Sequence, residues 1–193
     1  MNAIINWVDT LTYALFKVEI VDFCQKVSVT KQEIKTAQKL AAKNKLIEAT
    51  KKGQSTISKW SNSPAFVEKK LRQLLMGDLL TDFKLEMNRW KRNIKFAKSM
   101  IVSAQNLEKS DAGDPLDTTN LSKALLTYKK CRTILELDIV NKAIARCEHK
   151  MMKYNQFRSL FKEGQKYCQQ KDYKRGKLSF ERAQTLFKIP LLE

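Results

Sequence analysis

The sequence predicts an all-α protein, arranged as a helical bundle, and three observations carry that prediction. The 193 residues include only 5 Gly and 3 Pro, too few for the many tight turns of a β-sandwich or β-barrel. Hydrophobic residues make up 43% and charged residues 30% of the chain, which is enough apolar material for a packed core. Apolar side chains also recur at steps of three and four residues along most of the chain, the period of an amphipathic helix.

The first predicted helix covers residues 3–27. Apolar side chains follow one another at helical steps from Ile4 to Val18, and apolar neighbours widen this stripe. Over residues 16–21 apolar and charged side chains alternate, so a short strand is the alternative there. Residues 27–30 interrupt the apolar pattern and predict the end of the helix.

A second helix is predicted from Thr30 to about Lys52. Thr30 and Glu33 fit a capping box, in which both side chains bind exposed backbone N–H groups, and Gly53 is a suitable C-terminal cap. Lysines repeat every four residues along this helix, although like charges at that spacing repel one another. This lysine row comprises Lys31, Lys35, Lys39 and Lys43. The helix therefore either keeps these lysines solvated or uses them to bind an anionic partner.

Residues 54–63 are polar and rich in serine, which predicts a linker in which Trp60 is accessible. Ser63 and Pro64 then form an N-cap and a first helical position. The short helix that they open is predicted to end near Gly77.

The clearest periodicity in the chain is a heptad seam, in which steps of three and four alternate for more than three heptads. The seam comprises Leu80, Phe83, Met87, Trp90, Ile94, Ala97, Ile101 and Ala104. It packs either within the chain or against another subunit, so a homo-oligomer formed through residues 80–104 is an alternative. A second basic cluster lies off the seam and comprises Arg89, Lys91, Arg92 and Lys95.

Residues 110–119 are predicted to form an acidic loop, because aspartates, a glycine and a proline occur together there. The ligand spacing of a calcium-binding EF-hand and its terminal glutamate are absent, so we expect no metal site. Helices are predicted at about 119–137 and 139–168, and a last helix at about 172–188 precedes Pro190.

Charge limits the kinds of partner and the kinds of activity. The formal net charge is +17, and residues 31–100 hold 17 basic against 6 acidic residues. Such a surface attracts nucleic acid, an anionic membrane or an acidic protein, unless the lysines only solubilise a helical protein. No glycine-rich phosphate loop is present, and no nucleophile and orienting acid accompany the single His149 at a supporting spacing. We therefore expect no catalysis and no cofactor.

The four cysteines are widely spaced and form no CxxC pair. This pattern predicts reduced cysteines that pack as small hydrophobic residues in a cytoplasmic protein. No basic leader and no run of about 18 uncharged apolar residues is visible, so neither a secretory signal nor a transmembrane helix is expected.

The last predicted hairpin places small and aromatic residues at a recognisable spacing, with a large residue leading. These residues are Leu160, Gly164, Tyr167, Tyr173, Gly176, Phe180 and Ala183. Over residues 157–190 the pattern resembles a tetratricopeptide repeat. A weaker resemblance covers residues 97–137, where part of the pattern recurs in Leu121, Ala124, Tyr128, Cys131 and Leu135.

The resemblance implies antiparallel helical hairpins that form a scaffold, hold a peptide or helix in a concave groove and perform no catalysis. A generic helical bundle is the alternative. A three-helix domain found at microtubule and membrane-remodelling machinery also shares much of the hairpin pattern.

These observations divide the chain into an N-terminal helical extension with the lysine row, residues 1–62, and a tetratricopeptide-like helical domain, residues 63–193. We expect a non-enzymatic adaptor or assembly subunit that binds an anionic protein partner. The predicted contact residues are Lys31, Lys35, Lys39, Lys43, Arg89, Lys91, Arg92 and Lys95. The alternatives are a helical protein that binds nucleic acid without sequence preference, and a membrane-associated subunit that docks through its apolar first helix.

Overall fold

The computed structural model describes the backbone of residues 2–61, 66–111 and 113–187, and the side chains of residues 17–60, 72–73, 75–111 and 113–187. Six helices and no strand occur in these backbone ranges, which confirms the predicted all-α bundle. The helices are α1 Asn2–Ala42, α2 Leu46–Ser61, α3 Phe66–Lys109, α4 Thr119–Ile134, α5 Asp138–Gln169 and α6 Tyr173–Phe187.

α1 is one continuous helix of 41 residues, so the strand alternative at 16–21 and the predicted helix end at 27–30 are both wrong. Thr30 caps no helix, because it lies in the middle of α1. Its hydroxyl donates to the carbonyl of Lys26 at 2.8 Å and accepts a hydrogen bond from Trp60 Nε1 at 2.9 Å. A threonine whose hydroxyl is satisfied in this way is compatible with a helix interior.

The first turn between helices lies at residues 43–45, well before the helix end predicted at Gly53. Asn44 adopts a left-handed φ of 58°, which asparagine tolerates better than most residues. The N–H of Lys45 donates to the carbonyl of Leu40 at 3.0 Å and closes the end of α1. The break therefore depends on an asparagine rather than on the glycine.

The polar stretch predicted as a linker at 54–63 is helical over residues 54–61, as the second half of α2. The linker prediction is wrong over that range. Residues 62–65, with the predicted cap at Ser63 and Pro64, lie outside the described residues.

The second half of α2, residues 54–61, buries only one large apolar residue, Trp60, which explains the wrong linker prediction. Gly53, Thr56 and Trp60 follow at helical steps and are all buried. Trp60, expected to be accessible, is 2% exposed and packs edge-on against Phe23 with ring centroids 5.9 Å apart. A Cβ on Gly53 would lie 3.0 Å from the ring of Phe83, so the glycine allows α3 to approach α2 closely.

α3 continues through Gly77, so the helix end predicted there is wrong. The whole heptad seam lies on this helix, and six of its eight residues are buried while Ile94 and Ile101 are half-buried. Other helices of the same chain cover it: Phe83 faces α2, and the carbonyl of Ala97 lies 3.5 Å from the sulfur of Cys131 on α4. These contacts support the intramolecular interpretation of the seam.

The packing divides the chain into two compact units, Met1–Ile94 and Lys95–Glu193. The boundary predicted between residues 62 and 63 falls in the range 62–65, outside the described residues.

Helix directions in the first unit follow from three contacts of α2. Trp60, close to the end of α2, binds Thr30 in mid-α1 and accepts a hydrogen bond from Arg72 near the start of α3. Gly53, closer to the start of α2, faces Phe83 further along α3. α2 is therefore antiparallel to both neighbours, and α1 and α3 run in the same direction.

In the second unit, α5 and α6 form an antiparallel hairpin closed by residues 170–172. Ring centroids of Tyr154 and Phe187 lie 5.1 Å apart, and those of Phe161 and Phe180 lie 5.4 Å apart. α4 is shorter than predicted, since residues 135–137 separate it from α5. The region around Pro190 lies outside the described residues.

Candidate functional site

The lysine row lies on the solvent side of α1 and directly after its end. All four lysines are exposed, and within the described residues none forms an ion pair. The opposite side of α1 buries Thr30, Ile34 and Ala37. Each step of four residues exceeds one helical turn by about 40°, so the row winds around the helix by roughly 120° from Lys31 to Lys43. The two ends of the row therefore face different neighbours.

A hydrogen bond between α1 and α3 defines the alignment of these two helices. Gln38 Nε2 donates to Glu86 Oε2 at 2.8 Å. Because α1 and α3 run in the same direction, residues that precede Gln38 on α1 are level with residues that precede Glu86 on α3. Residues that follow Gln38 are likewise level with residues that follow Glu86.

Before the bonded pair, a row of carboxylates on α3 accompanies the lysines. Lys31 and Lys35 precede the bonded glutamine by seven and three residues, and so lie on its side of α1. Asp78 and Asp82 precede the bonded glutamate by eight and four residues and lie on its side of α3. All four side chains are exposed. The first half of the lysine row thus belongs to a surface with both signs of charge.

After the bonded pair, every charged residue of α1, of the turn at 43–45 and of α3 within the first unit is a cation. We call this set the basic end: Lys39, Lys43, Lys45, Arg89, Lys91 and Arg92. All six are exposed, and none has an ion-pair partner within 4.0 Å among the described residues. Of the predicted contact residues, Lys39 and Lys43 thus follow the bonded glutamine and Arg89, Lys91 and Arg92 follow the bonded glutamate, whereas Lys31 and Lys35 precede the glutamine. Lys95 follows on α3, is exposed, and belongs to the second unit.

Glu33, predicted to act in a capping box, instead binds Lys59 on α2. The Nζ–Oε1 distance is 2.5 Å, and this hydrogen bond lowers the pKa of the glutamate. Lys59 is thus neutralised, unlike the cations of the basic end.

In the second unit, most of the predicted packing residues of the last hairpin lie between α5 and α6. Gly164, Gly176 and Ala183 are buried, and Leu160, Tyr167 and Phe180 are half-buried. A Cβ on Gly164 would lie 2.7 Å from the ring of Phe180, and a Cβ on Gly176 would lie 3.3 Å from the carbonyl oxygen of Gly164. The two glycines thus allow the helices to approach closely. Tyr173, at 66% exposed, contributes little to this packing.

The buried face of α4 follows the pattern expected from the earlier stretch. Leu121, Ala124, Tyr128, Cys131 and Leu135 are each at most 1% exposed. The remaining cysteines differ: Cys147 is buried, Cys168 is half-buried and Cys24 is exposed, so the expectation of packed cysteines holds for two of the four.

A row of polar side chains on α5, which sequence reasoning missed, binds the acidic loop and the end of α3. The row, here called the loop clamp, repeats every four residues as Arg146, Lys150, Tyr154 and Arg158. Arg146 binds both carboxylate oxygens of Glu108, at 2.6 and 2.8 Å. Lys150 and Tyr154 bind Asp111, and Arg158 donates to the carbonyls of Pro115 and Leu116 at 2.8 Å each.

The charged side chains of the loop clamp form ion pairs with the carboxylates that they contact. The hydrogen bonds from Arg146 lower the pKa of Glu108, which also accepts a hydrogen bond from the hydroxyl of Tyr128 at 3.1 Å. Burial and Glu108 together raise the pKa of Tyr128 to about 12. The side chain of Asp111 is 2% exposed and already paired. These groups therefore hold a loop in place, and among the described residues no group of three metal-binding side chains occurs.

Two cavities are lined by described residues. A groove of about 450 Å³ beside α5 is lined chiefly by Leu125, Met151 and Met152. Its Ser159 and Glu148 lie on α5 eleven residues, or about 16 Å, apart, too far for one to activate the other. A smaller cavity of about 260 Å³ between α2 and α3 carries only the cations Arg72 and Lys84 as charged groups. His149 is exposed on α5, outside both.

Comparisons with known proteins add no relative: no family model, no curated protein and no solved structure matches this chain. Over the described residues, no helix has an apolar stretch long enough to cross a bilayer.

Proposed function

We propose that the chain is a non-enzymatic helical adaptor or assembly subunit, which binds an acidic protein partner through the basic end. The observation that carries this proposal is the set of six exposed cations after the Gln38–Glu86 bond, none of them in an ion pair within the described residues. Cations grouped in this way accelerate encounter with an acidic surface and orient the docked partner.

Two features favour an acidic protein over nucleic acid as the partner. Base stacking needs an exposed aromatic ring, yet Trp60 and Trp90 are 2% and 6% exposed. The exposed rings of Phe96 and Tyr173 belong to the second unit and not to the basic end. The carboxylates of Asp82 and Asp78 also lie about two and three turns before Arg89, the first member of the basic end on α3, where they would repel a continuous phosphate backbone.

The tetratricopeptide-like pattern supports a scaffold role in the second unit. Its small residues form the close contact between α5 and α6, and the loop clamp holds the connection between α3 and α4. The cysteines are free and two of them are buried, which fits a reducing compartment such as the cytoplasm.

The direct test compares proteins that co-purify with the wild-type chain and with K43E/R89E. We expect acidic partners to be reduced at least about tenfold with this variant, because like charges placed together at an interface repel strongly. The control K51E/K84E changes the net charge equally on other faces of the first unit and should retain the partners. Equal recovery with both variants would exclude the basic end as the docking site.

A second candidate function, membrane docking through α1, has its own observation. Val18 and Val21 are 58% and 54% exposed, and the first buried residue of the described part of α1 is Phe23. Exposed apolar side chains on a helix can insert into the interface of a bilayer. Flotation with anionic liposomes tests this candidate: V18S/V21S should abolish flotation if α1 inserts, and absence of wild-type flotation excludes it.

A further inference from the structure

The surface where α1 and α3 lie side by side combines two rows of opposite charge with an apolar end. We call it the α1–α3 face: Val27, Lys31 and Lys35 on α1, and Leu75, Asp78 and Asp82 on α3. Steps of four residues separate the members on α1, and steps of three and four separate those on α3, so each set forms one helical stripe.

The register of the two stripes comes from the hydrogen bond between Gln38 and Glu86. Val27 and Leu75 both lie eleven residues before that bond, so they are level with each other. Lys31 is level to within one residue with Asp78, and Lys35 with Asp82. By this register, each cation is level with a carboxylate on α3.

These opposite charges do not neutralise each other within the chain. None of the four charged side chains forms an ion pair within 4.0 Å in the described part of the molecule, and all four are exposed. Leu75 is 55% exposed at the apolar end of the face. Both rows and the leucine are therefore available to a partner.

A face with one positive and one negative row is complementary to itself. If a two-fold axis lies in the contact plane parallel to the helices, the lysine stripe of each copy lies over the aspartate stripe of the other. The same operation brings Leu75 of each copy over Val27 of the other. A two-fold axis across the helices would instead oppose lysine with lysine, which charge repulsion disfavours.

We infer that the α1–α3 face is a contact between two copies of this chain, arranged with α1 and α3 parallel to their counterparts. The heptad seam is mostly buried within each chain, so it offers little surface for such a contact. A uniformly charged polyanion would pair with one row and be repelled by the other, whereas a second copy pairs with both.

The area indicates a weak association. The face extends about 12 Å along the helices and is two helices, or about 20 Å, wide. This amounts to roughly 240 Å² per copy, less than a third of a standard protein interface. We therefore expect a dimer that forms only at high micromolar protein concentration and that dissociates as salt screens the charges.

Sedimentation equilibrium on the full chain tests the inference with two charge-reversed variants. K31E/K35E makes both rows negative, and D78K/D82K makes both rows positive, so each variant alone should associate about tenfold more weakly than the wild type. Mixed in equal amounts, the two variants should form a heterodimer. Control K51E/K84E should associate as the wild type does.

Three results would overturn the inference: a wild-type chain that stays monomeric at its highest soluble concentration, dimerisation retained by both variants, or a mixture that stays monomeric. Circular dichroism verifies that the variants fold. If a reversed variant unfolds, the neutral variants K35Q and D82N replace it and should each weaken association. These substitutions leave the basic end intact, so the proposed function is tested separately.

Discussion

Adding one methyl group at Gly164 should destabilise the second unit, although glycine is normally a poor helix former. A Cβ at this position would lie 2.7, 2.8 and 2.9 Å from three carbons of the Phe180 ring. Carbon atoms pack best at about 3.5–4.0 Å, so the ring must move by about 0.8 Å. Phe161 packs against the same ring, with centroids 5.4 Å apart, and restricts that movement.

The expected magnitude is the balance of two opposing effects. Overpacking costs about 1–3 kcal/mol, and replacing a helical glycine by alanine contributes about 0.5–1 kcal/mol of stability. Gly164→Ala should therefore lower the free energy of unfolding by about 1 kcal/mol. Phe180→Ala removes the ring, so in that background Gly164→Ala should stabilise the protein by about 0.5–1 kcal/mol.

Urea denaturation followed by circular dichroism measures all four members of this double-mutant cycle. The coupling energy between the two positions should be about 1–3 kcal/mol. A Gly164→Ala substitution that stabilises the protein equally in both backgrounds would refute the close approach of α5 and α6 at this glycine.

Three further predictions concern individual contacts of the two units. Replacement of Trp60 by phenylalanine removes the hydrogen bond to Thr30 and leaves a void in the first unit. The free energy of unfolding, measured by denaturant titration, should therefore fall by about 1–3 kcal/mol. An unchanged value would contradict the buried indole. The folded pKa of Glu108 is lowered below the reference of 4.5, so Glu108 stabilises the fold above that pH, and this contribution is lost as the pH falls through the folded pKa. In an acid titration, E108Q should therefore lose stability less steeply than the wild type. Parallel curves would refute the pairing with Arg146. Arg158→Ala removes the hydrogen bonds to the carbonyls of Pro115 and Leu116, so the amides of residues 113, 114 and 116–118 should exchange with deuterium about tenfold faster. Exchange as slow as in the wild type would contradict the loop clamp.

The sequence predicted the fold class and the core of α3 because both depend on local periodicity. The heptad seam needs only the spacing of apolar residues, and six of its eight members are buried as that spacing implies. The glycines of the last hairpin were predictable for the same reason, since their distance from the aromatic residues is a pattern within one hairpin.

Helix boundaries in the first unit were predicted wrongly where a tertiary contact outweighs a local signal. Thr30 has the form of a helix cap, but the indole of Trp60 satisfies its hydroxyl in mid-helix. Gly53 has the form of a helix end, but close packing against Phe83 explains it. Neither contact is visible in a short window of sequence.

The candidate site was predictable only as a set of cations. Their repeat along α1 and their position off the seam of α3 indicate exposure, which the structure confirms. The division into a basic end and a mixed face depends on the Gln38–Glu86 bond, between residues 48 positions apart. The loop clamp was missed for the same reason, because Arg146 and Glu108 are 38 positions apart.

One measurement tests directly whether the basic end selects an acidic protein rather than a nucleic acid. Fluorescence anisotropy would compare binding of a labelled polyglutamate chain and a labelled DNA or RNA duplex at physiological salt. We expect polyglutamate to bind and the duplex to bind more weakly. K43E/R89E should reduce the binding of polyglutamate about tenfold, whereas K51E/K84E should not. Tight binding of the duplex with a steep dependence on salt, and no binding of polyglutamate, would contradict this selection.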